Sequence, residues 1–127
     1  MTRLINDPAV FTDQMLEGFT ALYPQYVQLV SGGVVRSTNT NRGKVAVVIG
    51  GGSGHYPAFC GTVGPGFADG AVVGNIFTSP SAQDAYNVGK AAENGGGIFF
   101  ITGNYAGDVL NFNQAQADLI AEGFAVR

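Results

Sequence analysis

Lys44-Val45-Ala46-Val47-Val48-Ile49 runs directly into Gly50-Gly51-Gly52-Ser53-Gly54-His55. After Lys44 the first half is apolar and mostly β-branched, with no polar residue at alternate places. Such a run reads as a strand buried on both faces, the pattern of a parallel sheet. The second half predicts a strand-end loop in which missing Cβ atoms let peptide groups come close to a ligand.

Further apolar runs lie on the C-terminal side: Gly70-Ala71-Val72-Val73-Gly74-Asn75-Ile76-Phe77, which ends in Thr78-Ser79-Pro80-Ser81, then Ile98-Phe99-Phe100-Ile101, and a start at Phe124-Ala125-Val126. Between them the spacing predicts a helix over 82–93, capped by Ser81 or a neighbour and ended by Gly95-Gly96-Gly97. A second helix is predicted over about 111–122, with Ala115, Leu119 and Ile120 on one face and Gly123 at its end. Towards the N-terminus, Pro8 opens a helical stretch with Val10, Met15, Phe19 and Leu22 near helical spacing, and Pro24 stops it. Residues 25–36, broken by Ser31-Gly32-Gly33, predict short strands joined by a turn, and 37–43 reads as an exposed loop. This order is that of an α/β domain, a mostly parallel sheet with helices on its faces. Ligands bind such sheets beyond the carboxyl ends of the strands. The loops 50–57, 77–81 and 102–109 therefore bring His55, Thr78, Ser79, Asn104, Tyr105 and Asp108 to one rim.

Composition narrows the function. The chain has 127 residues, 20 of them glycine, and nine of these crowd into residues 50–74 rather than recurring at every third place, so collagen is excluded. A hydrophobic content of 46% with a net charge of −3 excludes disorder. Arg36, Arg42 and Lys44 are the densest basic stretch, which argues against a nucleic-acid surface. No apolar run approaches the ~20 residues needed to cross a membrane. A single cysteine, Cys60, excludes an internal disulfide and fits a reducing cytoplasm. Only 12% of residues are charged, which points either to surface covered by more chain or by a partner or to a surface that is simply low in charge. Asp69 and Asp84, next to loops or helix starts, are expected to be solvated, and Cys60 to be a small buried residue.

The common glycine-loop chemistries fail on spacing. G-x-G-x-x-G is broken because His55 follows Gly50 and Gly52 where the last glycine belongs, and Pro57 follows Gly52 and Gly54. The P-loop is broken because Val45 follows Gly43-Lys44 and Ala91 follows Gly89-Lys90. His55 stands where the nucleophile elbow G-x-S-x-G needs glycine. One histidine and one cysteine do not make a zinc site. The glycine loop is left to hold anions or hydroxyl oxygens on its backbone, with His55 projecting from its end either to a ligand or onto the loop itself. Asp108 lies at the same rim and is either a base or a cap of the following helix. Together an imidazole and a carboxylate suit the binding and deprotonation of a small polyol.

These segments carry a resemblance. Gly50-Gly51-Gly52-Ser53-Gly54-His55, Gly74-Asn75-Ile76-Phe77-Thr78-Ser79-Pro80 and Asn104-Tyr105-Ala106-Gly107-Asp108-Val109-Leu110-Asn111-Phe112, with Leu4-Ile5-Asn6-Asp7 before them, resemble the N-terminal part of the substrate-binding K (DhaK-type) domain of dihydroxyacetone (glycerone) kinases. The resemblance implies that residues 1–127 are part of such a domain, without its C-terminal part and without the nucleotide-binding L domain. It implies a short ketose substrate, with Gly52, Ser53, Gly54, His55 and Asp108 as substrate-binding residues and His55 and Asp108 as the catalytic ones. It also implies no cofactor in this chain: ATP and magnesium, or a phosphotransferase-system donor, belong to the separate L domain. Pairing of K subunits implies a homo-oligomer. In the family a histidine much later in the domain holds the ketone carbonyl covalently. His55 is the only histidine here, so these 127 residues are expected to be inactive alone. Tyr56 stands where the family carries Glu, and Gly103 where it carries Lys. The room left at Gly103 points to a substrate longer than three carbons, such as erythrulose. A non-catalytic K-like ligand sensor or coactivator is the alternative.

Overall fold

The computed structural model describes residues 6–38 and 40–127; Leu4 and Ile5 lie outside the described residues. Asp7 accepts the amide of Ala9 at 2.9 Å and starts a 3-10 turn over Pro8–Val10. Helix α1 (Phe11–Leu22) follows. A hairpin of β1 (Val27–Val30) and β2 (Gly33–Arg36) comes next, then β3 (Ala46–Gly52), β4 (Gly70–Gly74), α2 (Ala82–Ala92), β5 (Ile98–Thr102) and α3 (Ala106–Ala121). The sheet order is β1-β2-β4-β3-β5. Strand β3 is parallel to both neighbours, with Gly50 opposite Val72 and Thr102. The hairpin joins antiparallel through β2 and β4. The expected α/β architecture is therefore present, parallel at its centre and antiparallel at one margin. Val126 forms a parallel bridge to Ile98 on the outer side of β5.

Alternation along the strands divides the core. On one face Val48, Val72 and Ile98 lie under Ala85 and Val88 of α2 and Phe112, Ala115 and Leu119 of α3. On the other, Val34, Ala71 and Val73 meet Leu16 of α1 and Cys60, Val63 and Ala68 of the segment that follows β3. Ser81 caps α2 as expected: its Oγ accepts the Asp84 amide at 3.1 Å while Asp84 accepts the Ser81 amide at 3.2 Å.

Several expectations change. Helix α3 starts at Ala106, not near 111, because Gly103 and Gly107 read as loop punctuation whereas Gly107 is helical and Asp108 favours a first turn. Its buried face is Phe112, Ala115 and Leu119, and Ile120 is half exposed. Leu22 is exposed, and Thr12 and Leu16 are the buried residues of α1. Strand β3 continues through Gly50–Gly52 instead of ending at Ile49. These glycines serve packing: a Cβ at Gly50 would lie 2.5 Å from the Phe112 ring, and one at Gly51 would lie 2.4 Å from the Phe59 ring on the opposite face.

Asp69 is buried, not solvated. Arg36 Nη1 donates to its Oδ1 at 3.0 Å, and Lys44 Nζ and the Val47 amide both donate to its Oδ2, the latter at 2.8 Å. Its own amide donates to the Val47 carbonyl and its carbonyl accepts the Arg36 amide, so one residue ties β2, β3 and the start of β4 together. Burial works to raise the Asp69 pKa, but hydrogen bonds from Lys44, Val47 and Arg36 outweigh it and hold the carboxyl below its ordinary value.

A carboxylate whose folded pKa is depressed stabilises the fold above its unfolded pKa of about 4, and that contribution is lost as pH falls through the folded value. Asp69→Asn should lower stability by about 2–4 kcal/mol at pH 7 in urea unfolding, and should remove part of the loss the wild type shows as pH falls below about 4. Gly50→Ala should cost about 1–3 kcal/mol in the same measurement, because the Phe112 ring has to leave its place.

Candidate functional site

The segments that leave the carboxyl ends of β3, β4 and β5 enclose a cleft of about 410 Å³, lined by Gly52, His55, Ile76, Phe77, Thr78, Ser79, Tyr105, Gly107 and Asp108. Of the residues the sequence sends to this rim, His55, Thr78, Ser79, Tyr105 and Asp108 meet here, and Asn104 does not line the cleft.

Gly52 and Gly54 explain how the walls come so close. A Cβ on Gly52 would lie 2.9 Å from the carbonyl oxygens of both Asn75 and Ile76, and one on Gly54 would lie 2.4 Å from that of Ile76. The Ser53 and Gly54 amides donate to those same carbonyls, at 3.2 and 2.9 Å. Close backbone approach is thus present, but these two amides are spent on the 75–78 turn and not on the cleft. The Ser53 side chain is buried and points to α1, where its Oγ lies 3.4 Å from Thr12 Oγ1.

His55 ends a 3-10 turn over Ser53–His55 and is exposed. Its ring meets the Phe59 ring edge-on, with centroids 5.9 Å apart. Among the described residues it makes no hydrogen bond, so its imidazole is not consumed by the loop. Asp108 is the third residue of α3 and only 8% exposed. Among the described residues its carboxylate accepts no hydrogen bond, so the side chain does not act as a cap. The positive end of α3 favours a negative charge at this place. Gly103 lies beneath it, and a Cβ there would be 3.1 Å from Asp108 Oδ2 and 3.2 Å from the Tyr105 ring.

Ser79 is oriented from α3. Asn111 Nδ2 donates to the Pro80 carbonyl at 2.8 Å and approaches Ser79 Oγ at 3.4 Å. The pattern of a strand followed by a polar loop placed Ser79 at the rim but gave it no role. Thr12 and Asn75 went unnoticed as supports, since nothing local in the sequence joins residues so far apart. The cleft carries one imidazole and one carboxylate, and no Lys or Arg lines it. It therefore suits a small neutral polyol better than a phosphate. Cys60 is buried, and burial raises its thiol pKa, which fits a packing role. No helix among the described residues is long and apolar enough to cross a membrane.

The model of the Dak1 domain matches residues 17–127. The chain is 67% identical over 123 residues to the D-erythrulose kinase of Mycolicibacterium smegmatis, covering 97% of this chain and 21% of that protein. It is 58% identical over 123 residues to the L-erythrulose kinase of Pectobacterium atrosepticum, with the same coverage. The chain thus spans about a fifth of the length of these relatives. Its fold superposes on the crystal structure of the dihydroxyacetone kinase from C. freundii, solved with AMP-PNP and Mg2+, with a TM-score of 0.89 at 32% identity, covering 99% of this chain and 24% of that one. With all but the first 16 residues inside the match, the chain belongs to the Dak1 domain family.

Proposed function

We propose that this chain is part of the substrate-binding domain of a kinase that phosphorylates a hydroxyl of a short-chain ketose, erythrulose or dihydroxyacetone. The observation that carries the reading is Asp108: a residue only 8% exposed whose carboxylate oxygens accept no hydrogen bond among the described residues and stay open to the cleft it shares with His55. Oxygens that the fold leaves unpaired and open to the cleft are free to accept a hydroxyl that arrives with the substrate. The erythrulose kinases among the relatives supply the substrate class.

In this reading the ketose lies over Gly52, with one terminal hydroxyl between His55 and Asp108. As that oxygen bonds to the incoming phosphorus and the bond to the donor's leaving oxygen breaks, the hydroxyl proton passes to the Asp108 carboxylate. His55 hydrogen-bonds and orients the same hydroxyl. Positioning and a base are most of what a protein supplies to a phosphoryl acceptor. Ser53 and Gly54 hold the wall that carries His55 rather than touching the ketose through their amides. The residues present do not fit a nucleotide. No Lys or Arg lines the cleft, and no group of three His, Cys, Asp or Glu among the described residues is placed to hold a metal. The proposal assigns the donor, ATP with magnesium or a phosphotransferase-system phosphoprotein, to an L-type partner domain, and assigns pairing to two K-type copies in the cytoplasm.

In the full-length protein with its donor, Asp108→Asn should lower kcat on erythrulose by about 10²- to 10⁴-fold while the ketose still binds. A wild-type protein that binds ketoses without turnover would instead be a ligand sensor. The room expected at Gly103 is filled by Asp108 and Tyr105, so the substrate length rests on the erythrulose kinases among the relatives: kcat/KM on erythrulose should exceed that on dihydroxyacetone. A clear three-carbon preference in the wild type would overturn the assignment of substrate length.

A further inference from the structure

We propose that Thr12, outside the cleft, is a positioning residue that holds its two walls in register; the inference rests on the ketose-binding reading of that cleft. Thr12 stands in the first turn of α1 and is 8% exposed. Its Oγ1 donates to Asn75 Oδ1 at 3.0 Å and lies 3.4 Å from Ser53 Oγ. A hydroxyl has one hydrogen to give. With that hydrogen on Asn75, the Ser53 hydroxyl is the donor to Thr12. The three side chains form a one-way chain, Ser53 to Thr12 to Asn75.

The ends of this chain are placed where they matter. Ser53 directly precedes Gly54-His55, the wall that carries the imidazole. Asn75 directly precedes Ile76-Phe77-Thr78-Ser79, the facing wall. The main chain joins the walls through the Ser53 and Gly54 amides, continuing the β3–β4 pairing that ends at Gly52 and Gly74. Thr12 adds a side-chain link from α1 to both walls beside that backbone pairing. Leu16 next along α1 is buried in the second core, so the anchor itself is rigid. A hydroxyl on a residue only 8% exposed needs partners, and here both belong to the site walls.

The test uses the full-length kinase. Thr12→Val keeps shape and removes the hydroxyl; kcat/KM for erythrulose should fall about tenfold, since small displacements of an oriented group carry large rate effects. Thr12→Ser should restore it to within about threefold of wild type, because the hydroxyl returns. Asn75→Leu, at the exposed end of the chain, should reproduce the loss without endangering the fold. Thr12→Val with Ser53→Ala should be no worse than the poorer single variant, as expected for groups acting as one unit. A Thr12→Val and an Asn75→Leu enzyme both within about twofold of wild type, or a Thr12→Ser enzyme as impaired as Thr12→Val, would overturn the proposal. If the wild type phosphorylates no short ketose, the proposed function fails on its own. The positioning role is then read from the His55 imidazole resonances, which Thr12→Val should move and Thr12→Ser should not; unmoved resonances in Thr12→Val would overturn it.

Discussion

Close approach to β3 is the constraint on which the rest depends. Along Gly50, Gly51 and Gly52 no side chain stands between the strand and its surroundings, and each absence is filled at once. Phe112 presses on one face, Phe59 on the other, and the carbonyls of Asn75 and Ile76 lie against the strand end. The first contact docks α3 and so places Asp108. The second docks the segment after β3 and so supports His55, whose ring leans on Phe59. The third brings the Ile76–Ser79 wall to its place. A methyl group at any of these positions would separate elements that the cleft needs together. The glycine excess is therefore a packing device first, and a site follows from it.

How far this was legible depends on whether the cause was local. The apolar runs over 44–49, 70–77 and 98–101 announced the central strands because burial on both faces leaves no polar alternation to confuse the reading. Ser81 and Asp84 announced the start of α2 through a capping box, a signal contained within four residues. The rim itself, with His55, Ser79 and Asp108, followed from topology alone. The early start of α3 is hidden because Gly107 carries no helical preference of its own; in the fold it lies close to Ser79, whose Cβ would be 3.3 Å from a Cβ built there. Asp69 reads as a loop acid because its partners, Arg36 of β2 and Lys44 just before β3, are distant in the sequence. Thr12 was silent for the same reason. The destination of the Ser53 and Gly54 amides likewise depended on a turn some twenty residues further on, which no glycine count reveals.

The low charge of the sequence also finds a place in the fold. Phe99 and Ile101 of β5 face the same side as Val47 and Ile49, in register with them. Among the described residues that side of β5 is open, and Phe99 and Ile101 are each close to half exposed. Over β2 and β4 the same side is covered by α1 and the 59–68 segment. The two-sided burial written into Ile98-Phe99-Phe100-Ile101 is therefore half satisfied, and the expectation of covered surface drawn from composition falls on these side chains.

Two buried carboxylates show how burial and pairing together separate structure from chemistry. Asp69 and Asp108 are about equally hidden from solvent. Asp69 has a guanidinium, an ammonium and an amide directed at it, and every one comes from the framework of the sheet. Its charge is committed, and that commitment lowers its pKa. Asp108 has the end of a helix behind it and the cleft before it. A helix end stabilises a carboxylate without occupying its oxygen lone pairs, so those lone pairs remain free for a hydroxyl proton. Burial alone would have nominated both residues, and partner count alone would have nominated exposed acids such as Asp13. The proposed function rests on that conjunction at Asp108, and the Gly50–Phe112 contact that docks α3 brings it to the cleft that His55 also lines.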